Sequence, residues 1–235
     1  YIFLFGGIKM NYEILHEGTF PIVKCHLEAG EQIKAESDAM ITMSPTIDVT
    51  GSAEGGILKG LARMATGEKF FFQYLSANKG SGDIIFAHAL PGDIMPIELN
   101  GTGLKIQKDG FLAATMDVEI ETKVQNLTKG LFSGEGFFVL GAKGNGTLFV
   151  SSYGAIHQIN LNPGEEIIID NCHLVAWDET LEYQIEKASK KGWISSFTSG
   201  EGLVCRFRGP GRVFIQTRNP DGMKSWISKM GFKTV

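Results

Sequence analysis

The stretch Ser133-Gly134-Glu135-Gly136-Phe137-Phe138-Val139, followed by Gly144-Asn145-Gly146-Thr147-Leu148-Phe149-Val150, decides the fold of this chain because it is written three times. Upstream it reads Thr66-Gly67-Glu68-Lys69-Phe70-Phe71-Phe72, then Gly80-Ser81-Gly82-Asp83-Ile84-Ile85-Phe86. Downstream it reads Ser199-Gly200-Glu201-Gly202-Leu203-Val204-Cys205, then Gly209-Pro210-Gly211-Arg212-Val213-Phe214-Ile215. Gly67, Gly134 and Gly200 are spaced by 67 and 66 residues, and the Gly-x-Gly turns by 64 and 65. A third element, Leu27-Glu28-Ala29-Gly30-Glu31, returns as Leu161-Asn162-Pro163-Gly164-Glu165, with Leu90-Pro91-Gly92-Asp93 as a shortened copy between them. Self-similarity at a fixed period means one supersecondary unit used repeatedly.

The apolar runs between these turns are short, rich in Val, Ile and Phe, and bounded by Gly, Asn, Asp or Pro, so the expected class is all-β. Three β units are expected within a single domain spanning 10–222, over about 27–90, 91–160 and 161–222. They would be entered near Gly30, Gly92 and Gly164, with the Gly-Glu triplets at equivalent turns. Residues 116–121 alternate most cleanly, with Met116, Val118 and Ile120 on one face and Asp117, Glu119 and Glu121 on the other. Residues 212–218 read as a strand buried on one side through Val213 and Ile215. Helical patterning is confined to 57–65, 186–191 and 223–230, the last within a short C-terminal helix or tail over 223–235.

Gly makes up 30 of the 235 residues against only 7 Pro, which marks tight turns rather than disorder or collagen. A net charge of −4 gives no bulk attraction to phosphate backbones, so nucleic acid is not an expected partner. Residues 1–9 begin on Tyr and precede Met10; they read as upstream sequence, too short for a membrane span and without the cationic lead of a signal peptide. Cys25, Cys172 and Cys205 are odd in number and far apart, which suggests neither a disulfide framework nor a zinc knuckle and fits a reducing cytoplasm.

The residues that could carry chemistry do not assemble into a motif. A cupin-like metal site needs His-x-His on one strand, and His16, His26, His88, His157 and His173 never stand two apart. Cys25-His26 and Cys172-His173 are adjacent pairs, which strand geometry sends to opposite faces. Ser76-Ala77-Asn78-Lys79 has Ser-x-x-Lys spacing but falls in a turn between strands. Gly136 to Lys143 begins like a phosphate loop but lacks its Lys and its helix. No catalytic residue, metal ligand or cofactor is therefore expected. Gly67, Glu68, Gly134, Glu135, Gly200 and Glu201 are expected to be structural turn residues, the carboxylates accepting backbone N–H bonds.

The run from Gly55 to Phe71, Gly-Gly-Ile-Leu-Lys-Gly-Leu-Ala-Arg-Met-Ala-Thr-Gly-Glu-Lys-Phe-Phe, resembles the signature of the family of the altered-inheritance-of-mitochondria protein twenty-four, which includes bacterial domains of unknown function. The Ser133 to Phe138, His173 to Asp178 and Gly209 to Gly211 segments resemble the same family, so the likeness runs from Met10 to about Pro220; Lys69 departs from the small Ser common there. The resemblance implies a TRAP-like β fold, akin to a double-stranded β-helix and closed as a barrel or packed as a sandwich, prone to ring or trimer packing. It implies no catalytic residue.

A non-enzymatic binding or scaffold protein is the expected function. A cupin-like enzyme acting on a small ligand or through a metal is the alternative, and RNA binding by analogy of fold is a weaker one. A homo-oligomer or a protein partner is expected, and a peripheral membrane contact is open. The candidate contact is the segment 55–67, which read as a short helix places Ile57, Leu58 and Leu61 on an apolar side and Lys59 and Arg63 on the other.

Overall fold

The computed structural model describes residues 10–52, 72–124, 138–187 and 203–231. After β1 (Asn11–Leu15), a first set of strands runs β2 (Ile22–Leu27), β3 (Gln32–Glu36), β4 (Met40–Met43), β5 (Asp48–Ser52), β6 (Phe72–Ser76) and β7 (Gly82–Phe86). The next runs β8 (Ile94–Asn100), β9 (Leu104–Gln107), β10 (Phe111–Thr115), β11 (Val118–Val124) and β12 (Phe138–Ser151). The last runs β13 (Ile156–Leu161), β14 (Glu166–Asp170), β15 (Leu174–Asp178), β16 (Glu182–Lys187), β17 (Leu203–Arg208) and β18 (Gly211–Gln216). Among the described residues the chain is all-β apart from two single-turn 3-10 segments and one helix, α1 (Pro220–Lys229).

One pairing scheme serves all three sets. In the first, β7 lies between β2 and β4 while β6 lies between β3 and β5. In the third, β18 lies between β13 and β15 while β17 lies between β14 and β16. In the second, the long strand β12 does both jobs: its first half pairs β9 and β11, its second half β8 and β10. The Gly-x-Gly motif sits at each switch from one job to the other, with positive φ at Gly80, Gly144 and Gly211. Even a register shift recurs, since the third strand of each set carries an irregularity at Ile41, Leu112 or Val175.

The turn between the first and second strands of each set also recurs. Gly30, Gly101 and Gly164 occupy it with φ of +89°, +80° and +83°. In the outer two sets a carboxylate closes it: Glu31 accepts from the Glu28 N–H at 2.8 Å, and Glu165 from the Asn162 N–H at 2.6 Å. Gly92 is therefore not the counterpart of Gly30. It belongs to the connection between sets, where it bridges to Gly154 in the next such connection and a Cβ would run into the Ser152 carbonyl.

Successive sets join by strand pairing. β10 pairs with β3, setting Ala113 opposite Ala35 and Ala114 opposite Lys34. β15 pairs with β9, setting Ala176 opposite Ile106 and Trp177 opposite Lys105. Each joint carries one set's core into the next. Leu112 and Ala113 belong to the cluster built on Val23, Ile33, Leu75 and Phe86, while Val175 and Ala176 belong to the one built on Ile106, Phe111, Leu140 and Leu148. A third cluster, around Trp177, Cys205 and Phe207, fills the last set.

Several local expectations give way to this geometry. Met116 and Asp117 form the turn between β10 and β11, so Met116 is exposed instead of sharing a buried face with Val118 and Ile120. Alternation ran unbroken through a turn that no Gly or Pro marked. β18 is flanked on both edges and buries Phe214 and Gln216 as well as Val213, so it has no solvent face of the kind expected. Glu186 and Lys187 belong to β16, and the rest of the helix expected over 186–191 lies outside the described residues. The helix expected from Met223 starts at Pro220, because Asn219 caps it by accepting from the Asp221 and Gly222 N–H groups. The sheets stay open, and the described strands close no barrel.

Candidate functional site

Ile57, Leu58, Lys59, Leu61 and Arg63 lie outside the described residues, as do Gly67, Glu68, Gly134, Glu135, Gly200 and Glu201. Their flanks are nonetheless equivalent. Each Gly-Glu triplet falls in the stretch joining the fourth and fifth strands of a set, between Ser52 and Phe72, Val124 and Phe138, or Lys187 and Leu203. The carboxylates seen closing turns are Glu31 and Glu165.

The candidate chemical groups go to separate structural partners. Cys25 points into the core while His26 faces outward and lies 2.7 Å from Asp83, which also holds Lys24 at 2.8 Å. The Lys24 ammonium, and after it His26, hold the Asp83 carboxyl below the usual carboxylate range. Burial pushes the Cys25 and Cys205 thiols up to about 12, so neither is a nucleophile near neutral pH. Cys172 and His173 do not flank a strand; they sit in the 3-10 turn Asn171–His173. There Cys172 donates to Asp221 at 3.3 Å and the His173 Nδ1 donates to the Gln216 carbonyl. Partial burial, then the Asp221 carboxylate, raise the Cys172 thiol to about 12.

His88 lies 3.2 Å from the Ser151 hydroxyl, with burial lowering its pKa. His16 sits in an exposed turn and His157 on the exposed side of β13. Ser76 ends β6, buried, and Lys79 pairs with Asp48. Glu119 and Glu121 face solvent from β11, with Asp117 exposed in the preceding turn. Among the described residues, no three His, Cys, Asp or Glu side chains are grouped to hold a metal ion.

Side chains that sequence reading passed over define the features a partner could use. Among the described residues, β4 and β14 are edge strands, each paired on one side only. On β4, Ile41 is 56% exposed, whereas Leu112 at the same bulge of β10 is fully buried. On β14, Ile168 is 46% exposed, whereas its counterpart on β3, Lys34, is 3% exposed and donates to the Val118 carbonyl at 2.7 Å. The signal was present in Glu166-Ile167-Ile168-Ile169-Asp170, where three isoleucines run along a strand that in the first set reads Gln32-Ile33-Lys34-Ala35-Glu36.

An uncharacterised protein of Streptococcus pyogenes is 32% identical over 219 residues, covering 90% of this chain and 87% of its own length. The crystal structure of a Streptococcus pyogenes protein shares the fold with a TM-score of 0.79 at 30% identity, covering 94% of this chain and all of its own. No described helix is long and apolar enough to cross a membrane. The family described as mitochondrial biogenesis AIM24 matches residues 12–218, and the chain belongs to that family.

Proposed function

We propose that this chain is a non-catalytic binding or scaffold protein of the cytoplasm, and that it offers the connection between β5 and β6 to a protein partner. The observation carrying this reading is the separation of its chemical groups. The described His, Cys and acidic side chains serve turns, strand faces and the joints between sets, while the pairing scheme repeats with little variation. What varies between sets is what the frame holds up. The connection from Ser52 to Phe72 is the longest of the three and carries Ile57, Leu58 and Leu61 beside Lys59 and Arg63. Connections on a rigid scaffold are where binding residues concentrate. Three free thiols, two of them fully buried, suit a reducing compartment.

A photo-crosslinker at Leu58 or Leu61, read by mass spectrometry on protein from its own cells, tests the reading. A discrete protein adduct, lost in Leu58→Asp and Leu61→Asp variants that keep their melting temperature, is the expected result. If those variants lower the melting temperature while every association persists, the segment is core and the reading is wrong.

A further inference from the structure

The geometry points to α1 as a docking surface for an anionic phospholipid membrane, with Met223, Trp226, Ile227 and Met230 seated at the acyl boundary and Lys224 and Lys229 among the headgroup phosphates. The sequence closes this helix with care. Asn219 caps it by accepting from the Asp221 and Gly222 N–H groups, Pro220 opens its first turn, and Gly231 turns left-handed just past its end, with φ of +87°. Helices this short are marginal in water, and most helical stability comes from docking an apolar face. Within the described chain that face has no core to dock on, since α1 buries none of its residues. Trp226 is 62% exposed and Met230 56%, while Met223 and Ile227 are partly buried.

The order of residues around the helix selects the partner's chemistry. With a turn of about 100° per residue, Met223, Trp226, Ile227 and Met230 fall within one arc of about 100°. Lys224 and Lys229 flank that arc, one on each side, and Asp221, Ser225 and Ser228 lie opposite. An interfacial helix needs this arrangement. Its apolar face sinks to the acyl boundary, lysines on either side lay their methylene stems along the apolar surface and raise their ammonium groups to the phosphates, and the remaining polar groups face water. Trp226 suits the boundary because its ring has an apolar body and an N–H that stays at headgroup level.

Charge complementarity commits the surface to an anionic membrane. Residues 218–231 carry Arg218, Lys224 and Lys229 against Asp221 alone, in a chain whose net charge is −4. An anionic surface therefore attracts α1 and repels the rest of the chain, which orients the molecule helix first. The first turn is tied to the β frame, where Cys172 Sγ donates to Asp221 at 3.3 Å and the Arg218 N–H donates to the Tyr153 carbonyl at 3.2 Å. Ten residues are too few to span a bilayer, so α1 lies in the plane of the surface and holds the three sets beside it.

Vesicle flotation of the full chain is the measurement, with phosphatidylcholine vesicles prepared with and without phosphatidylglycerol. The wild type is expected to float with the anionic vesicles and to bind the neutral ones at least about tenfold more weakly. Trp226→Asp is expected to stay in the soluble fraction with an unchanged melting temperature, since the side chain is exposed. Lys224→Gln combined with Lys229→Gln lowers binding to the anionic vesicles at least about tenfold. Trp226→Phe keeps the flotation and loses the blue shift of tryptophan emission that the vesicles give the wild type. A wild type that stays soluble overturns the proposal, including the case in which the stripe fits an acidic groove on a protein. So does equal flotation with neutral vesicles. Flotation that Trp226→Asp leaves unchanged, or a blue shift that survives Trp226→Phe, places the contact on another surface and overturns it too. Should Trp226→Asp lower the melting temperature, Met230→Ser on the same stripe gives the same readings.

Discussion

Leu112 and Ile41 hold the same place in two copies of one unit: a branched aliphatic side chain at the bulge of a third strand paired antiparallel to the last strand of its own set. One is fully buried and the other 56% exposed. Nothing local distinguishes them. Leu112 has the first set beneath it, and its β10 neighbour Ala113 lies opposite Ala35; among the described strands, β4 with Ile41 pairs only β7. The contrast teaches that burial here is set by the neighbouring repeat more than by the residue's own strand, which is the quasi-one-dimensional logic of repeat proteins.

The largest effect follows from making one substitution at both sites. Glu in place of Leu112 puts an unpaired carboxylate into the first cluster, where desolvation costs several kcal/mol per ion, against a total stability of roughly 5–15 kcal/mol for a domain. Leu112→Glu is expected to be unfolded or insoluble by circular dichroism and light scattering. Ile41→Glu is expected to unfold in the same cooperative transition as the wild-type monomer, within about 0.5 kcal/mol. Equal damage at both sites would mean that the two bulges are packed alike, contrary to the comparison.

A second contrast lies between glycines. Gly144 is the switch point of β12, with φ of +122°, and a Cβ there would meet the Asp117 carbonyl. Gly30 also has positive φ, but open space around it. Gly144→Ala therefore combines backbone strain with a clash against main chain and is expected to cost about 3 kcal/mol or more. Gly30→Ala pays conformational strain alone, about 1–2 kcal/mol. Urea midpoints of the two variants decide it, and a Gly30→Ala effect as large as that of Gly144→Ala would show that space plays no part.

The same two glycines mark how far the sequence could be read. The all-β class, the Gly-x-Gly switch points and the equivalence of Gly30 with Gly164 were legible, because turns that need positive φ select glycine. The entry to the second set was misread as Gly92, since Leu-Pro-Gly-Asp resembles Leu-x-x-Gly-Glu more closely than Asn100-Gly101 does. The true counterpart kept the left-handed turn and lost the flanking residues. The hairpin at Met116 escaped notice because its turn falls in phase with the alternation on either side. The free edges were illegible for a different reason: whether Ile168 or Lys34 ends in solvent depends on which strands find neighbours, and pairing across sets leaves no mark in a period-2 pattern. The segment 55–67 and the Gly-Glu triplets rest on sequence alone.

The smallest expected effect separates the two seams between sets. At the first, His88 leaves β7 and reaches Ser151 at the end of β12; at the second, the equivalent connection uses Gln216, which accepts from the Tyr153 N–H at 2.8 Å and does not titrate. Burial disfavours the His88 imidazolium and lowers its pKa below 6.5, opposed only in part by the Asp109 carboxylate. The unfolded chain therefore binds a proton near pH 6.5 that the folded chain refuses. By linkage, stability declines as pH falls from about 7 through 6.5, and the slope ends once pH drops below the folded-state value. The carboxylates shifted by ion pairing, Asp48 and Asp83, are held down instead, so their contribution is lost only below the ordinary carboxylate range and does not overlap this window. Melting temperatures between pH 7.5 and 5 should fall for the wild type and flatten in His88→Asn, which keeps a polar group near Ser151 without a titrating one. A wild-type curve that is flat there, or a slope that survives the substitution, would mean that the first seam tolerates the imidazolium and that the two seams are electrostatically alike.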